Sequence, residues 1–221
     1  MRIIKYDTNI YKFQELLLDL YQVSDLSTLH TQLTEENGVK GIGHDTHSIL
    51  HNKFYEKLNS GWNEIREAYE RFVSEVIINL SAEKSFLYQS FPSYRIQFPN
   101  NKAVSTWHHD SDALHLHPDG EINFIIPITN AFDTNTVWVE SAPGLGDFGP
   151  VNMKYGDCLI FDGNKCNHGN KVNETGATRI SFDFRILPLS KYDPTYSAVT
   201  ATKKNRFIIG EYYSLLGDLN E

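Results

Sequence analysis

The spacing of apolar residues divides the chain into a helical first part and a strand-rich second part. Apolar residues recur at steps of three and four over residues 10–21 and again over 62–80, which predicts two amphipathic helices. Segment 33–45 between them is rich in glycine and asparagine and predicts a loop. After residue 91 the period becomes two, in short runs of Val, Ile, Phe and Thr separated by turn formers such as PDG, YGD and ETGA.

This order of elements predicts one mainly β domain spanning residues 1–221. Helices followed by closely spaced strands are typical of a β-sandwich or barrel backed by helices. We expect residues 1–89 to form a helical N-terminal part, residues 90–188 the β core and residues 189–221 a C-terminal extension.

Several predicted strands carry one polar and one apolar face, because side chains two apart share a face. The polar faces hold Arg179, Ser181, Asp183 and Arg185 in TRISFDFRI, Glu121 and Asn123 in EINFII, Arg95 and Gln97 in SYRIQF, and Trp138 and Glu140 in NTVWVES. Such a face can meet water, as in many antiparallel sheets. These faces hold few lysines, however, which favours the alternative of a polar pocket with helices on the apolar side.

The hexapeptide WHHDSD, residues 107–112, concentrates two histidines and two aspartates. On a strand His108 and Asp110 point the same way and His109 points the opposite way, so His108 and Asp110 can deliver an imidazole and a carboxylate to one point. A shift in register by one residue would make His109 the ligand instead. The parity shared with Asp110 favours His108.

A third ligand is expected from His168, which follows the apolar strand 158–161 in FDGNKCNHGN. Two neutral imidazoles and one carboxylate on one side of an ion leave three positions open, which is the ligand set of non-haem Fe(II) oxygenases. Zinc is satisfied by four ligands and gains nothing from three vacancies. The residues therefore predict an iron site made by His108, Asp110 and His168.

An arginine follows the third ligand at a distance that suggests a second binding group. Arg179 lies eleven residues after His168, and Ser181 shares its strand face. A guanidinium and a hydroxyl can together receive a carboxylate. A dicarboxylate co-substrate would need this arrangement, with one end chelating iron and the other held by the arginine. Arg185 shares the same face and is the alternative.

The segments WHHDSD, NTVWVESAPG, KYGDCLIFDGNKCNHGN and TRISFDFR resemble the iron- and 2-oxoglutarate-dependent oxygenases of the phytanoyl-CoA hydroxylase type and related bacterial enzymes of antibiotic and sugar-modifying pathways. The resemblance covers about residues 90–188 and is weak elsewhere. It implies a mainly β fold with flanking α: a double-stranded β-helix (jelly-roll, cupin-like) core with the N-terminal helices packed on one sheet.

The resemblance also implies an activity and the residues that support it. By this match His108, Asp110 and His168 are the iron ligands and therefore the catalytic residues, and Arg179 and Ser181 hold the distal carboxylate of 2-oxoglutarate, with Asn123 expected beside them. The cofactors would be Fe(II), 2-oxoglutarate and O2. The chain would be an oxidoreductase, a dioxygenase that hydroxylates or otherwise oxidises its substrate with release of succinate and CO2.

The substrate is expected to be small and polar. Arg95, Gln97, Glu121, Trp138 and Glu140 would all point into the pocket, and such a wall is costly to dehydrate without hydrogen-bonding partners. An acyl chain would leave these groups unpaired. A sugar, an amino acid derivative or a conjugate of one fits better.

The remaining histidines and the two cysteines are not expected to form a second functional site. His44, His47 and His51 have helical spacing but no evident third metal partner, and His115 and His117 are expected on a loop at the substrate rim. Asp157 and Asp162 are expected in turns. Cys158 and Cys166 do not make a CxxC pair and are expected to be buried thiols.

Charge and composition exclude several partners. A formal net charge of −8 over 221 residues provides no electrostatic footprint for nucleic acid. No apolar run approaches the roughly 20 residues of a membrane span, and the first residues lack the apolar core of a signal peptide. We therefore expect a cytoplasmic protein, monomer or homodimer, that binds neither nucleic acid nor membrane.

A different functional class remains open at this point. Jelly rolls also include cupin-type metal-dependent isomerases and non-catalytic ligand-binding modules. A binding module has no need for His108, Asp110, His168 and Arg179 together, and an isomerase more often offers three or four histidines. Succinate formation distinguishes an oxygenase from both.

Overall fold

The structure of the chain is a computed structural model that describes residues 1–33, 48–81, 83–103, 106–201 and 204–218. Its α-helices are α1 (Phe13–Tyr21), α2 (Ile49–Asn59) and α3 (Asn63–Glu75). The strands are β1 (Arg2–Lys5), β2 (Phe86–Gln89), β3 (Ser93–Gln97), β4 (Ile122–Pro127), β5 (Val137–Val139), β6 (Gly149–Pro150), β7 (Asp157–Phe161), β8 (His168–Asn170), β9 (Arg179–Pro188) and β10 (Tyr213–Leu216).

Two antiparallel sheets make up the β part of the described chain. The larger runs in the order β1-β7-β4-β9-β2-β10, and β3 also pairs with β9. The smaller runs in the order β6-β5-β8. The long strand β9 brings the polar faces into register, because Gln97 lies opposite Arg179, Arg95 opposite Ser181, and Asn123 opposite Arg185.

The helices cover the apolar face of the larger sheet. Phe54 of α2 stacks on Tyr94 of β3 with ring centroids 3.9 Å apart, and Tyr69 of α3 packs edge-on against Phe184 of β9. Burying each side chain of this size contributes about 1.5–3 kcal/mol. The polar face of the same strands is thereby turned away from the helices, as the alternation of residues predicted.

The mainly β fold with helices on one sheet confirms the coarse prediction. Helix α1 begins at Phe13 rather than near residue 10, and α3 ends at Glu75 before a short 3-10 turn at Ile77–Asn79. Helix α2 was not predicted, although Leu50, Phe54 and Leu58 recur at steps of four and are buried.

Segments outside the predicted core also join the sheet. Strand β1 pairs with β7, and β10, from the C-terminal extension, pairs with β2. Neither was predicted, since each is only four residues long. None of the described helices has the length and apolar character needed to cross a bilayer.

Candidate metal centre

His108 and His168 face each other across a single antiparallel bridge. The backbone N–H of His108 donates to the carbonyl of His168 at 3.1 Å, and the N–H of His168 donates back at 2.8 Å. The N–H of Asp110 donates to the carbonyl of Gly163, which turns the chain after His108. The segment is thus a bridge and a turn rather than the regular strand that was predicted, yet the two side chains converge.

Three ligand atoms meet at one point. The Nε2 atoms of His108 and His168 lie 3.5 and 3.7 Å from Oδ1 of Asp110, and all three atoms are within 4.8 Å of one another. A metal ion bound by these three atoms would lie between them and draw them closer together. The structure therefore brings together the three residues that the sequence predicted as ligands.

Backbone carbonyls determine which nitrogen of each histidine faces this point. Nδ1 of His108 lies 3.1 Å from the carbonyl oxygen of Thr106, and Nδ1 of His168 lies 3.0 Å from that of Cys166. A carbonyl only accepts hydrogen bonds, so each Nδ1 must carry the proton. In the neutral form of each ring, Nε2 then presents its lone pair to the centre, as a metal ligand must.

The two oxygens of Asp110 have different surroundings. Oδ2 accepts hydrogen bonds from Nδ2 of Asn123 at 2.6 Å and from Nε of Arg185 at 2.8 Å. Oδ1 faces the two histidines. Burial by itself would raise the pKa of Asp110, but the Arg185 guanidinium together with His108, His168 and His117 outweighs it, and the pKa lies well below its usual range. The side chain is therefore an ionised carboxylate.

The charge state of His168 suits the same role. Burial lowers the pKa of His168 to about 4, against the opposing effect of the Asp110 carboxylate. Its imidazole is therefore neutral at neutral pH and available to a metal. Two imidazole nitrogens and one carboxylate oxygen, all buried or nearly so, are the donor set that non-haem Fe(II) takes. The residues fit iron.

A cavity extends from the two histidines between the larger and the smaller sheet. Its volume is about 650 Å³ including the open mouth. The polar residues of its lining are His108, His168, Asn123, Thr136, Asn170, Arg95, Arg179, Ser181, Asp183 and Arg185. Apolar side chains, among them Ile125, Val137 and Phe161, complete the wall.

Arg179 is buried in this wall and held from three sides. Its guanidinium donates to the carbonyl of Asn135 at 2.9 Å, to Oγ of Ser181 at 2.7 Å and to Oε1 of Gln97 at 3.1 Å. Gln97 is itself oriented by the carbonyls of Asn101 and Lys171, to which its Nε2 donates. The predicted pair of Arg179 and Ser181 therefore exists, with a rigid support.

Arg95 and Asp183 form an ion pair nearer the mouth. Nε of Arg95 donates to Oδ2 of Asp183 at 3.1 Å, while Oδ1 of Asp183 lies 3.9 Å from Nη1 of Arg185. The sequence pattern places Asp183 on the polar face of its strand but predicts no role for it. Its position between Arg95 and Arg185 depends on the pairing of β3 with β9, which parity alone does not specify.

The other residues predicted to contact substrate do not line this cavity in the described part of the chain. Gln97 supports Arg179, as described above. Trp138 donates from its indole nitrogen to the carbonyl of Asp133, and Nζ of Lys171 lies 3.4 Å from its ring centroid. The carboxylate of Glu140 accepts from the backbone N–H groups of Gly144, Gly146 and Asn167.

Glu121 lies in a buried cluster behind Asp110. Its carboxylate bonds Nδ1 of His117 at 2.7 Å and accepts from the hydroxyl of Tyr213 on β10. The ring of His117 packs on Phe207 and Tyr212, so this residue is more enclosed than the predicted rim position. Residues of the C-terminal extension therefore support the loop that follows Asp110.

The remaining histidines occupy separate surroundings. Nδ1 of His109 lies 3.2 Å from both Oγ of Ser111 and the carbonyl of Asn164, outside the ligand triad. The ring of His115 stacks on His108 with centroids 4.0 Å apart. His51 is buried on α2 beside Tyr94. All of the predicted loop 33–45 except its first residue, including His44, lies outside the described residues, as does His47. Cys158 and Cys166 are both buried, as predicted.

The chain is similar to a curated protein and to several solved structures. The streptomycin biosynthesis protein StrG of Streptomyces griseus is 30% identical over 211 residues, which cover 95% of this chain and 96% of that protein. The crystal structure of EctD from S. alaskensis with bound Fe aligns with a TM-score of 0.52 and 13% identity over 86% of this chain and 73% of that one. AviO1 from Streptomyces viridochromogenes Tue57 aligns with a TM-score of 0.45 and 13% identity over 88% and 91%. No family model matches.

Proposed function

The chain belongs to the family of StrG, and from this premise we propose that it is an iron- and 2-oxoglutarate-dependent oxygenase, which oxidises a small polar metabolite with Fe(II), 2-oxoglutarate and O2. Succinate and CO2 would be released. The observation that carries the proposal is the convergence of His108, Asp110 and His168 at one end of a cavity that also contains Arg179.

We propose that His108, Asp110 and His168 hold the iron through two Nε2 atoms and one carboxylate oxygen. Bound there, Fe(II) would supply the oxidising chemistry that protein side chains lack. The protein residues need not exchange protons for this chemistry. Their role is to present neutral imidazoles and an ionised carboxylate, which the hydrogen bonds to Thr106 and Cys166 and the Arg185 ion pair favour.

Arg179 and Ser181 are proposed to receive the distal carboxylate of 2-oxoglutarate. A guanidinium that is buried and already oriented by Gln97 and Asn135 loses little freedom when it binds an anion. Asn123, which donates to Asp110, lines the cavity on the metal side of the co-substrate. Ile125 and Val137 exclude water from the space between the two ends.

The substrate is proposed to enter on the side of Arg95. This side chain is 28% exposed and, among the described residues, only its Nε donates to Asp183, so the rest of its guanidinium can donate to an acceptor group of a ligand. A sugar, an amino acid derivative or a conjugate of one carries such acceptors. The association of StrG with streptomycin biosynthesis, according to its name, supports a polar metabolite of an antibiotic pathway.

The finer architecture belongs to the same proposal. We propose that the larger and smaller sheets are the two sheets of a double-stranded β-helix, whose interior is the cavity. The EctD structure supports the fold at this level. We also retain the expectation of a single domain in a cytoplasmic monomer or homodimer.

The test is incubation of the purified protein with Fe(II), ascorbate and 2-oxoglutarate under air, followed by quantification of succinate. Many such enzymes turn over 2-oxoglutarate slowly without substrate, so succinate should form and should depend on both iron and O2. Panels of polar metabolites and of fatty acyl compounds then identify the substrate class by stimulated succinate release. Metal binding without any succinate would instead favour an isomerase or a binding module.

A further inference from the structure

The two oxygens of Asp110 are assigned to different partners by the surrounding residues. Oδ1 faces the Nε2 atoms of His108 and His168, whereas Oδ2 accepts two hydrogen bonds of 2.6 and 2.8 Å from Asn123 and Arg185. We propose that Arg185 and Asn123 are positioning residues that hold Asp110 as a one-oxygen ligand and thereby keep a third coordination position open. This inference rests on the proposed function.

The count of coordination positions explains why this matters. An octahedral metal has six positions, and two nitrogens with one oxygen leave three of them. A 2-oxo acid that chelates through its carboxylate and oxo oxygens takes two, and O2 needs the last. If Asp110 bound through both oxygens, the last position would be lost. Carboxylates adopt either mode readily in metal sites, so the mode has to be imposed by neighbours.

Arg185 can impose the one-oxygen binding mode on Asp110 because its guanidinium lies between the carboxylates of Asp110 and Asp183. The side chain is buried, donates from Nε to Asp110, and lies with Nη1 3.9 Å from Oδ1 of Asp183. It projects from β9 at the residue directly opposite Asn123 on β4. The two donors to Oδ2 therefore come from paired positions of one sheet and cannot move independently.

Asn123 is fixed by close packing. Its amide lies against Gly163, where a Cβ atom would come within 2.6 Å of Cγ and 2.7 Å of Nδ2 of Asn123. Only a glycine leaves this room. Because Nδ2 donates to Asp110, the amide cannot rotate without leaving Oδ2 one donor short.

Arg185 was also the alternative holder of the co-substrate carboxylate, and the experiment has to separate the two roles. Oxalate chelates a metal as a 2-oxo acid does but has no distal carboxylate. Nitric oxide occupies the position that O2 would take and gives a paramagnetic complex with Fe(II) that is seen by electron paramagnetic resonance. Anaerobic binding of Fe(II), then of oxalate or 2-oxoglutarate, then of nitric oxide, reports each position in turn.

For Arg185→Met we expect Fe(II) and oxalate to bind with affinities within about threefold of wild type. The affinity of the oxalate complex for nitric oxide should fall at least about tenfold. A loss of this size is expected when a charge-assisted hydrogen bond no longer restrains the carboxylate of Asp110. Asn123→Ala, which removes the weaker donor, should lower it less. The matched control is Arg71→Met, which removes an arginine paired to the carboxylate of Glu75 on helix α3, outside the cavity lining, and which should leave all three affinities unchanged.

The other roles give different patterns. If Arg185 held the distal carboxylate, the affinity for 2-oxoglutarate would fall while nitric oxide still bound the oxalate complex normally, and the proposal would be overturned. Nitric oxide binding at wild-type affinity in both Arg185→Met and Asn123→Ala overturns it as well. Should Arg185→Met fail to fold, Arg185→Gln and Asn123→Ala decide by the same readout. A wild-type protein that binds neither Fe(II) nor 2-oxoglutarate contradicts the proposed function instead.

Discussion

His108 and His109 are neighbours in sequence with opposite surroundings. Nε2 of His108 faces Asp110, while Nδ1 of His109 lies near Ser111 and Asn164. We therefore expect His108→Ala and His168→Ala to lower anaerobic Fe(II) affinity at least about tenfold, as loss of one ligand of three commonly does, and His109→Ala to leave it unchanged. Equilibrium dialysis measures this. Loss of binding in His109→Ala alone would reverse the assignment of the ligand.

The second prediction at this scale concerns Arg179. Removing one partner of a buried charge-assisted pair costs roughly 2–5 kcal/mol, so Arg179→Met should raise the KM for 2-oxoglutarate at least about tenfold. Iron affinity should stay nearly unchanged, since the hydrogen bonds described for Arg179 go to Asn135, Ser181 and Gln97, none of which is a proposed metal ligand. Succinate formation at varied 2-oxoglutarate is the measurement. An unchanged KM would transfer the role to Arg185.

Much of the candidate site follows from single residues and their parity, but not all of it. Period-two alternation assigned Arg179, Ser181, Arg95 and Asn123 to faces that line one cavity. It placed Glu140 and Trp138 in the pocket as well, whereas the side chain of Glu140, just after β5, binds backbone N–H groups of a loop and the ring of Trp138 lies against Lys171. Partners brought together by turns have no periodic signal in the sequence.

At the scale of elements, the connection from β7 to β8 positions the proposed metal ligands. The carbonyls of Gly163 and Asn164 accept hydrogen bonds from the N–H groups of Asp110 and Ser111. This connection therefore holds in place the turn that contains Asp110. Cavity residues on β4 and β9 then meet the ligands from the larger sheet. The site thus depends on the contact of a loop with a strand.

Gly163→Ala tests this contact. The added methyl would lie 2.6 Å from Cγ of Asn123, closer than Cβ atoms come in real structures. Overpacking of this kind costs about 1–3 kcal/mol, and we expect urea unfolding to show that loss together with weaker Fe(II) binding. Gly149→Ala, where a Cβ meets nothing within 4 Å, is the control and should change neither. Equal stability of both variants would mean that Asn123 can shift freely.

Helix α2 and strand β10 were not predicted from the pattern of apolar residues. Helix α2 has an apolar residue at every fourth position and a capping Ser48 whose Oγ accepts from the N–H of His51, yet the helix is only 11 residues long and was not predicted. Strand β10 carries Tyr213, whose partner Glu121 lies 92 positions earlier. Such a pairing is decided by tertiary packing, and four residues are too few to establish a period.

For the whole molecule, metal binding should contribute to stability, because the ligands come from segments far apart in sequence. A metal that binds only the folded chain stabilises it by about 2.7 kcal/mol at a free concentration of 100 times Kd. For a chain of this size that corresponds to an increase in Tm of roughly 5–10 °C. Differential scanning calorimetry with Co(II) should show it for wild type and not for His168→Ala. Equal shifts in both would locate the metal elsewhere.

Acid should destabilise the apoprotein through its buried carboxylates. Burial would raise the pKa of Asp183, but Arg95 and Arg185 outweigh it and lower that pKa below its usual value. A group with a lowered pKa in the folded state contributes stability above its unfolded pKa of about 4, and that contribution is lost as the pH falls through the folded value. Urea unfolding from pH 6 to pH 3 should therefore be less pH-dependent in Asp183→Asn. An unchanged slope would contradict this role.

The pairing of β9 also has a consequence for the rate of folding. Its partners β2, β3 and β4 begin at Phe86, Ser93 and Ile122, so each pairing closes a loop of more than fifty residues. Non-local strand pairing of this kind slows folding to milliseconds or longer in small domains. Arg179, Ser181 and Arg185 all lie on β9. In a refolding experiment, the ability to bind metal and co-substrate should therefore appear in the slowest phase, after the helices have formed.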